Sequence, residues 1–329
     1  MKKKAKKLSK AKLWAIISAG IVVLVVVAII ITNIFVPVKY LASYCVSRNR
    51  AKAGIMRVSF IGVGYGDCII IELPDGKNML IDAGNGTYSN NSKVIKELNR
   101  RDIDTIDYLV CSSVNSEHCG GLAEVLKYKK VKTVFMPYCK NKYITDAFRD
   151  FVNQTEKSGA QILFSEYASG ITADEYFFTF LSPHVIDYDE GEYAQLNGNP
   201  SKTTRNNSSV VMWLEYGKTS FLFTSDVETS VLNSIIRSYS LNADDYPVGL
   251  ENCNVVQLAN HGGEESACAA FYDTINPECA VISVGKNGNG SPSVKAMSDV
   301  IQSVGQNLFR TDERGNVVFE VTLADYTIK

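Results

Sequence analysis

The stretch Tyr108–Leu122, YLVCSSVNSEHCGGL, constrains the fold more than any other part of the chain. Tyr108 to Cys111 reads as a buried strand, the polar residues after it as a loop, and Gly120-Gly121 as the opening of a helix. Strand, loop and helix in that order form the repeating unit of a layered α/β domain. His118 lies in the loop and is one of only three histidines in the sequence.

The same grammar continues on both sides. Met56 to Ile61, Cys68 to Leu73 and Asn78 to Ile81 read as three strands, the last two joined by a hairpin turn at Pro74-Asp75-Gly76. Asp82 ends the third and faces a loop containing Gly84 and Gly86. A carboxylate there suits a site-shaping role; the plainer reading is an Asp bonding its own loop. Ser89 to Arg101 is a helix with Val94, Ile95 and Leu98 on one face. Strands are expected over Ile106–Cys111, Val131–Met136 and Tyr176–Leu181, and helices over Leu122–Tyr128 and Ile144–Ser158. Asp187 to Arg205 reads as a long polar surface loop. Val210–Glu215 and Ser220–Thr224 form a hairpin, followed by a helix over Val231–Tyr239. Asn254–Ala259 and Cys279–Val284 are strands, a helix starts at Ser266, and Val294–Val304 is helical. Leu308–Arg310 and Val317–Val321 read as a closing hairpin.

Leu13 to Val38 contains no charged residue and is long enough to span a hydrocarbon core of about 30 Å as a helix. Residues 1–12 are a basic tail, so the N-terminus is expected in the cytoplasm and the domain outside the cell membrane. A cleaved signal peptide is the competing reading, disfavoured by the length of the apolar run and the lack of a clean small-x-small site after Val38. Residues 39–54 read as a linker and 55–329 as one domain.

Charge is divided unevenly along the chain. The first 40 residues hold eight lysines and no acid; taking eight from 34 basic residues leaves 26 against 35 acids, a net charge near −9. Such a domain has no global field to attract a polyphosphate, though a local basic groove remains open. The eight cysteines form no CxxC pair and no zinc-ribbon spacing, and most are expected to be buried thiols rather than a disulfide framework.

The loop Ser113–Gly121 resembles the His-x-His-x-Asp-His signature, followed by Gly-Gly, of metallo-β-lactamase fold hydrolases. On that pattern the ligand positions fall on Ser113, Asn115, Glu117 and His118, of which only His118 is intact. Gly62–Cys68 and Leu80–Gly84 are similar to the start of the corresponding domain in ComEC-type competence proteins, with Gly62 for the usual Asp and Tyr65 for Gln. Asn206, Asn207, Ser209 and Thr224-Ser225-Asp226 match further motifs. Asn260-His261-Gly262 stands where that family has His-His-Gly, and Ser291 where it has a histidine. The likeness spans about residues 55 to 325, with the motifs in order. It implies a four-layer αββα sandwich, hydrolysis of phosphodiester bonds, and Asp226 as a metal ligand. The family's polytopic channel has no counterpart in the single apolar span, so any role in DNA uptake calls for a separate membrane protein as partner.

Three readings of the chemistry follow. In the first, the fold persists with an eroded metal site and weak or no hydrolase activity, and serves binding or scaffolding, because a catalytic zinc wants three good protein ligands. In the second, one zinc or manganese ion is held by His118, Asp226 and His261, with Glu117 as base or ligand and Asp82 shaping the site. In the third, Cys119 or Cys268 joins a rebuilt site. His184, after Ser182-Pro183, is a candidate third-shell residue; exposure is the plainer reading. A nucleic acid or another phosphodiester is the ligand the resemblance implies.

Overall fold

The computed structural model describes residues 9–35, 38–138, 144–183, 200–286 and 290–329. His184 and most of the expected surface loop lie outside the described residues; the end of that loop is helical over Lys202–Asn207.

Two sheets face each other. The first takes β1 (Met56–Ile61), β2 (Ile69–Glu72), β3 (Asn78–Ile81), β4 (Thr105–Val110), β5 (Lys130–Met136) and β6 (Gln161–Phe164). The second takes β7 (Gly170–Thr172), β8 (Tyr176–Ser182), β9 (Val211–Tyr216), β10 (Thr219–Phe223), β11 (Val255–Gln257), β12 (Cys279–Ile282) and β13 (Leu308–Arg310). The chain then returns to the first sheet with β14 (Asn316–Val321) and β15 (Tyr326–Ile328). Spatial order is β15-β14-β1-β2-β3-β4-β5-β6 in one sheet and β13-β12-β11-β10-β9-β8-β7 in the other. β3 to β6 run parallel, as do β10 to β13.

Period-2 alternation sorts the side chains. Ile69 and Ile71 enter the core between the sheets with Phe60, Phe178, Phe221 and Phe319, while Ile70 points to the outer helices. Strands covered on both faces therefore read as unbroken apolar runs. The helices Tyr88–Arg100, Leu122–Tyr128 and Asp146–Ser158 cover the first sheet through Val94, Leu122 and Phe148. Thr229–Leu241, Ala269–Ile275 and Val294–Val304 cover the second through Leu232, Phe271 and Val300. The result is the four-layer αββα sandwich.

The closing hairpin is corrected. β13 pairs with β12 in the second sheet, whereas β14 pairs with β1 in the first. Asp312–Gly315, expected as its turn, falls in and just after the helical turn Thr311–Arg314, which carries the chain across the sandwich. The three strands that pattern reading missed, β6, β7 and β15, all lie at sheet edges. None has a fully buried residue, so the apolar alternation that marks a strand is weak there.

Lys10–Phe35 is one helix, long and apolar enough to cross a membrane. Residues 39–54 are more than a tether. Tyr40 is buried, stacks on Tyr88 at 5.9 Å, meets Tyr128 edge-on at 5.6 Å and donates to Glu124 at 2.9 Å. Lys39 pairs with the same carboxylate. Asn99 donates to the Ser43 carbonyl at 3.0 Å, Asn49 N–H to Arg100 at 2.6 Å and Ala51 N–H to Glu72 at 2.6 Å. Aromatic burial and these bonds seat the segment on the domain.

Candidate metal centre

The loops that follow β3, β4, β10 and β11 meet at one end of the sandwich. All four strands have a parallel neighbour, and crevices beyond the carboxyl ends of such strands are where α/β folds build sites. β3 delivers Asp82, β4 leads to His118 on the helical turn Ser116–Cys119, β10 delivers Asp226 and β11 delivers His261. Close backbone contact holds the loops together. A Cβ on Gly121 would lie 2.2 Å from the Ala83 carbonyl oxygen, and one on Gly66 2.3 Å from that of Glu117. Asp82, Ser225, Asn260 and His261 are four of the seven non-glycine residues with positive φ among the described residues. Strained backbone of this kind persists where surrounding structure enforces it, commonly at functional sites.

His118, Asp226 and His261 are buried, and one donor atom from each lies within 4.8 Å of the others. His118 Nε2 is 2.9 Å and His261 Nε2 3.4 Å from Asp226 Oδ1. Apart from one another, these three atoms have no polar partner. Buried polar atoms are nearly always bonded, so three orphans aimed at one another mark a place prepared for something else.

The opposite ring nitrogens define what it is. His118 Nδ1 is 2.9 Å from Asp82 Oδ2, and His261 Nδ1 is 2.8 Å from the Ser283 carbonyl. An ionised carboxylate and a carbonyl only accept, so in each ring Nδ1 carries a hydrogen, and an ion that displaced any proton on Nε2 would meet that atom's lone pair. A carboxylate or carbonyl behind a histidine is the usual support of a metal-binding imidazole. Two nitrogens and one carboxylate oxygen form a donor set that fits one divalent ion with an open position.

Supporting charges surround the three donors. Asp82 is held by the Ser112 N–H at 2.8 Å and by the Ser112 hydroxyl, which lies 2.6 Å from Ser225 Oγ. Asp67 accepts from Gln257 at 2.7 Å and stands 3.5 Å from His118 Nδ1 and 3.6 Å from His261 Nδ1. Burial pushes the Asp67 carboxyl pKa up, against the pull of the two histidines. Burial opposes charge on His118, but Asp226 and Asp67 outweigh it and hold its pKa well above the usual value. The reverse holds at Asp226: burial is outweighed by His118, His261 and the Asn115 amide, and its pKa is depressed. Tyr65 lies over His261, ring centroids 4.4 Å apart, its phenol pushed up to about 12 by burial and by Asp226 and Glu117.

Asn115 occupies a ligand position of the signature and makes hydrogen bonds there instead. Its Nδ2 donates at 2.8 Å to both Asp226 Oδ2 and Asn206 Oδ1, and its Oδ1 accepts from Arg205 Nε at 3.1 Å. Asn206 donates to Glu228 at 2.9 Å and Asn207 accepts from the Glu228 N–H at 3.0 Å, so the asparagine pair pins the loop that carries Asp226.

Of the expected site residues, His118, Asp226 and His261 come together, and Asp82 stands behind His118 rather than with the three donors. Glu117 is half-buried and joins neither that trio nor the second group of close donor atoms, Asp67, Asp82 and His118, among the described residues. The thiol readings are corrected: Cys119 bonds the Val114 and Asn115 carbonyls, Cys268 bonds Asn233, and neither joins a cluster. Both thiols are buried as small apolar groups. Asp67, Ser112 and Arg205 were not singled out. Asp67 could have been found, since it ends the matching Gly64–Asp67 segment.

The family model of the Metallo-beta-lactamase superfamily matches residues 61–262. The chain belongs to the metallo-β-lactamase superfamily. It is 24% identical over 280 residues to ComE operon protein 3 of Bacillus subtilis (strain 168), covering 80% of this chain and 32% of that protein. The chain thus spans about a third of the relative's length. Among solved structures, the CmlA β-hydroxylase E377D mutant superposes with a TM-score of 0.51 at 12% identity, over 81% of this chain and 54% of that one. The metallo-β-lactamase fold protein YhfI from Bacillus subtilis gives 0.49 at 11% identity, over 81% and 100%. At such identities the first likeness speaks to fold alone.

Proposed function

We propose that this superfamily member is a membrane-anchored hydrolase that uses one zinc or manganese ion to cut phosphodiester bonds. The observation that carries the reading is the convergence of His118 Nε2, His261 Nε2 and Asp226 Oδ1, all buried and with no polar partner outside the trio. A divalent ion held there supplies Lewis acidity and activates water near neutral pH. The chain's own residues do the remaining work. Asp82 and the Ser283 carbonyl fix the imidazole orientations, Asn115 turns Asp226 so that Oδ1 faces the histidines, and Tyr65 covers His261. Its phenol, protonated at neutral pH, is available as a hydrogen-bond donor. Glu117 lies close enough to Tyr65 to act on it electrostatically and stays in this reading as a candidate base.

The substrate class rests on the resemblance to ComEC-type domains and on the relationship to ComE operon protein 3. The apolar helix and the lysines before it support a single-pass anchor with the N-terminus in the cytoplasm and the domain outside. A nucleic acid or another phosphodiester is the proposed ligand, and a separate membrane protein the proposed partner in DNA uptake.

The test is metal content followed by activity. The full chain in detergent is loaded with zinc or manganese, desalted and analysed, then assayed on single- and double-stranded DNA and on a generic phosphodiester. One equivalent of metal is expected, lost together with activity in His118→Ala. Less than a tenth of an equivalent after loading would reject the reading and leave a metal-free binding or scaffolding role.

A further inference from the structure

We infer that Arg205 is the second positive centre of this site and receives an oxygen of a substrate's phosphate. The inference rests on the one-ion reading above and names the group that handles the charge a single ion leaves unmatched.

Arg205 sits in the helix Lys202–Asn207, directly before the asparagine pair that pins the Asp226 loop. Its Nε donates to Asn115 Oδ1 at 3.1 Å, and Asn115 Nδ2 donates to Asp226 Oδ2 at 2.8 Å. The guanidinium is therefore one amide away from the proposed ligand's outer oxygen. Among the described residues its hydrogen-bond acceptors are neutral, the Asn115 amide and the Pro200 carbonyl at 3.1 Å, and it forms no ion pair. It is half-buried, which leaves it within reach of solvent and of a ligand. A guanidinium offers five donors in a planar fork and stays charged at every relevant pH, so it can brace Asn115 and still present donors to a phosphate. Hydrolysis of a phosphodiester accumulates negative charge on the phosphoryl oxygens, which a fixed cation beside the reacting centre stabilises. Asn115 supplies no charge from its ligand-like position; the arginine behind it does. Selectivity for an anionic phosphoester over a neutral ester or amide follows.

The experiment uses the full chain in detergent, loaded with zinc and freed of excess metal, and titrates inorganic phosphate by calorimetry. Arg205→Gln keeps a donor for Asn115 but removes the charge; Arg205→Lys keeps the charge. Zinc content and melting temperature are measured on each. Arg205→Gln is expected to hold one equivalent of zinc and bind phosphate at least tenfold more weakly, with Arg205→Lys intermediate. Phosphate affinity within twofold of wild type in Arg205→Gln, at unchanged zinc content, overturns the role of Arg205 and leaves the one-ion reading intact. If the glutamine variant does not fold, Arg205→Lys decides: no weakening at all overturns the inference. Absence of zinc from the wild-type chain overturns both.

Discussion

His118 offers Nδ1 to Asp82 at 2.9 Å, and that contact decides which ring nitrogen is left for an ion. An aspartate behind the ring fixes the tautomer and raises the basicity of the far nitrogen. In Asp82→Asn the new amide can turn its NH2 toward the ring and favour the other tautomer. Metal affinity should fall by about 10–100-fold, read by competition with a chelator, with the melting temperature of the metal-free protein tracked as a control. Unchanged affinity would show that Asp82 serves only its own loop.

Asn115→Ala removes a side chain whose three hydrogen bonds tie Asp226, Asn206 and Arg205 together. The partners are buried or half-buried, so the cost is their lost satisfaction, about 1–3 kcal/mol. Chemical unfolding in detergent measures it. A variant as stable as the parent would mean that water replaces the amide without loss.

Gly121→Ala probes the meeting of two loops. The added methyl would collide with the Ala83 carbonyl, which is backbone and cannot swing aside. Destabilisation of about 1–3 kcal/mol is expected, together with reduced metal occupancy, because Ala83 adjoins Asp82 and its N–H bonds the His118 carbonyl at 3.0 Å. Wild-type stability and occupancy would count against tight packing of these loops.

The seat of residues 39–54 on the domain should respond to acid. Burial raises the Glu124 pKa, but hydrogen bonds from Lys39, Lys127 and Tyr40 outweigh it and lower the net value. A carboxyl depressed in the folded state contributes stability that is present above its unfolded pKa, about 4.3, and lost as pH falls through the folded value. Glu124→Gln should flatten the acid unfolding curve in that window. An identical pH profile for the variant and the parent would exclude Glu124 as the source. Tyr40→Ala, which removes a buried ring, should cost about 3–5 kcal/mol by analogy with other buried aromatics.

Much of this architecture is legible from local pattern. Val294–Val304, Asn78–Ile81 and Leu122–Tyr128 appear with the ends that periodicity predicts, because a strand or helix covered by apolar neighbours carries its burial in its own residues. The edge strands β6 and β15 escape that reading because they are covered on fewer sides. β13 and β14 look like a hairpin because they are close in sequence, yet the choice between sheets is made by partners far along the chain.

The amino-acid order alone determined the apolar span and the paired blocks of strands and helices, and it singled out His118, Asp226 and His261, with Glu117 and Asp82, as candidate donors. Tertiary structure decided that those donors share one point, that Asp82 stands behind a ring instead of among them, and that an amide with an arginine beside it fills the neighbouring position. The reason is distance along the chain. Backbone pattern and burial are encoded within a few residues, whereas Asn115 and Asp226 are 111 residues apart and meet only once both sheets have closed on their common core.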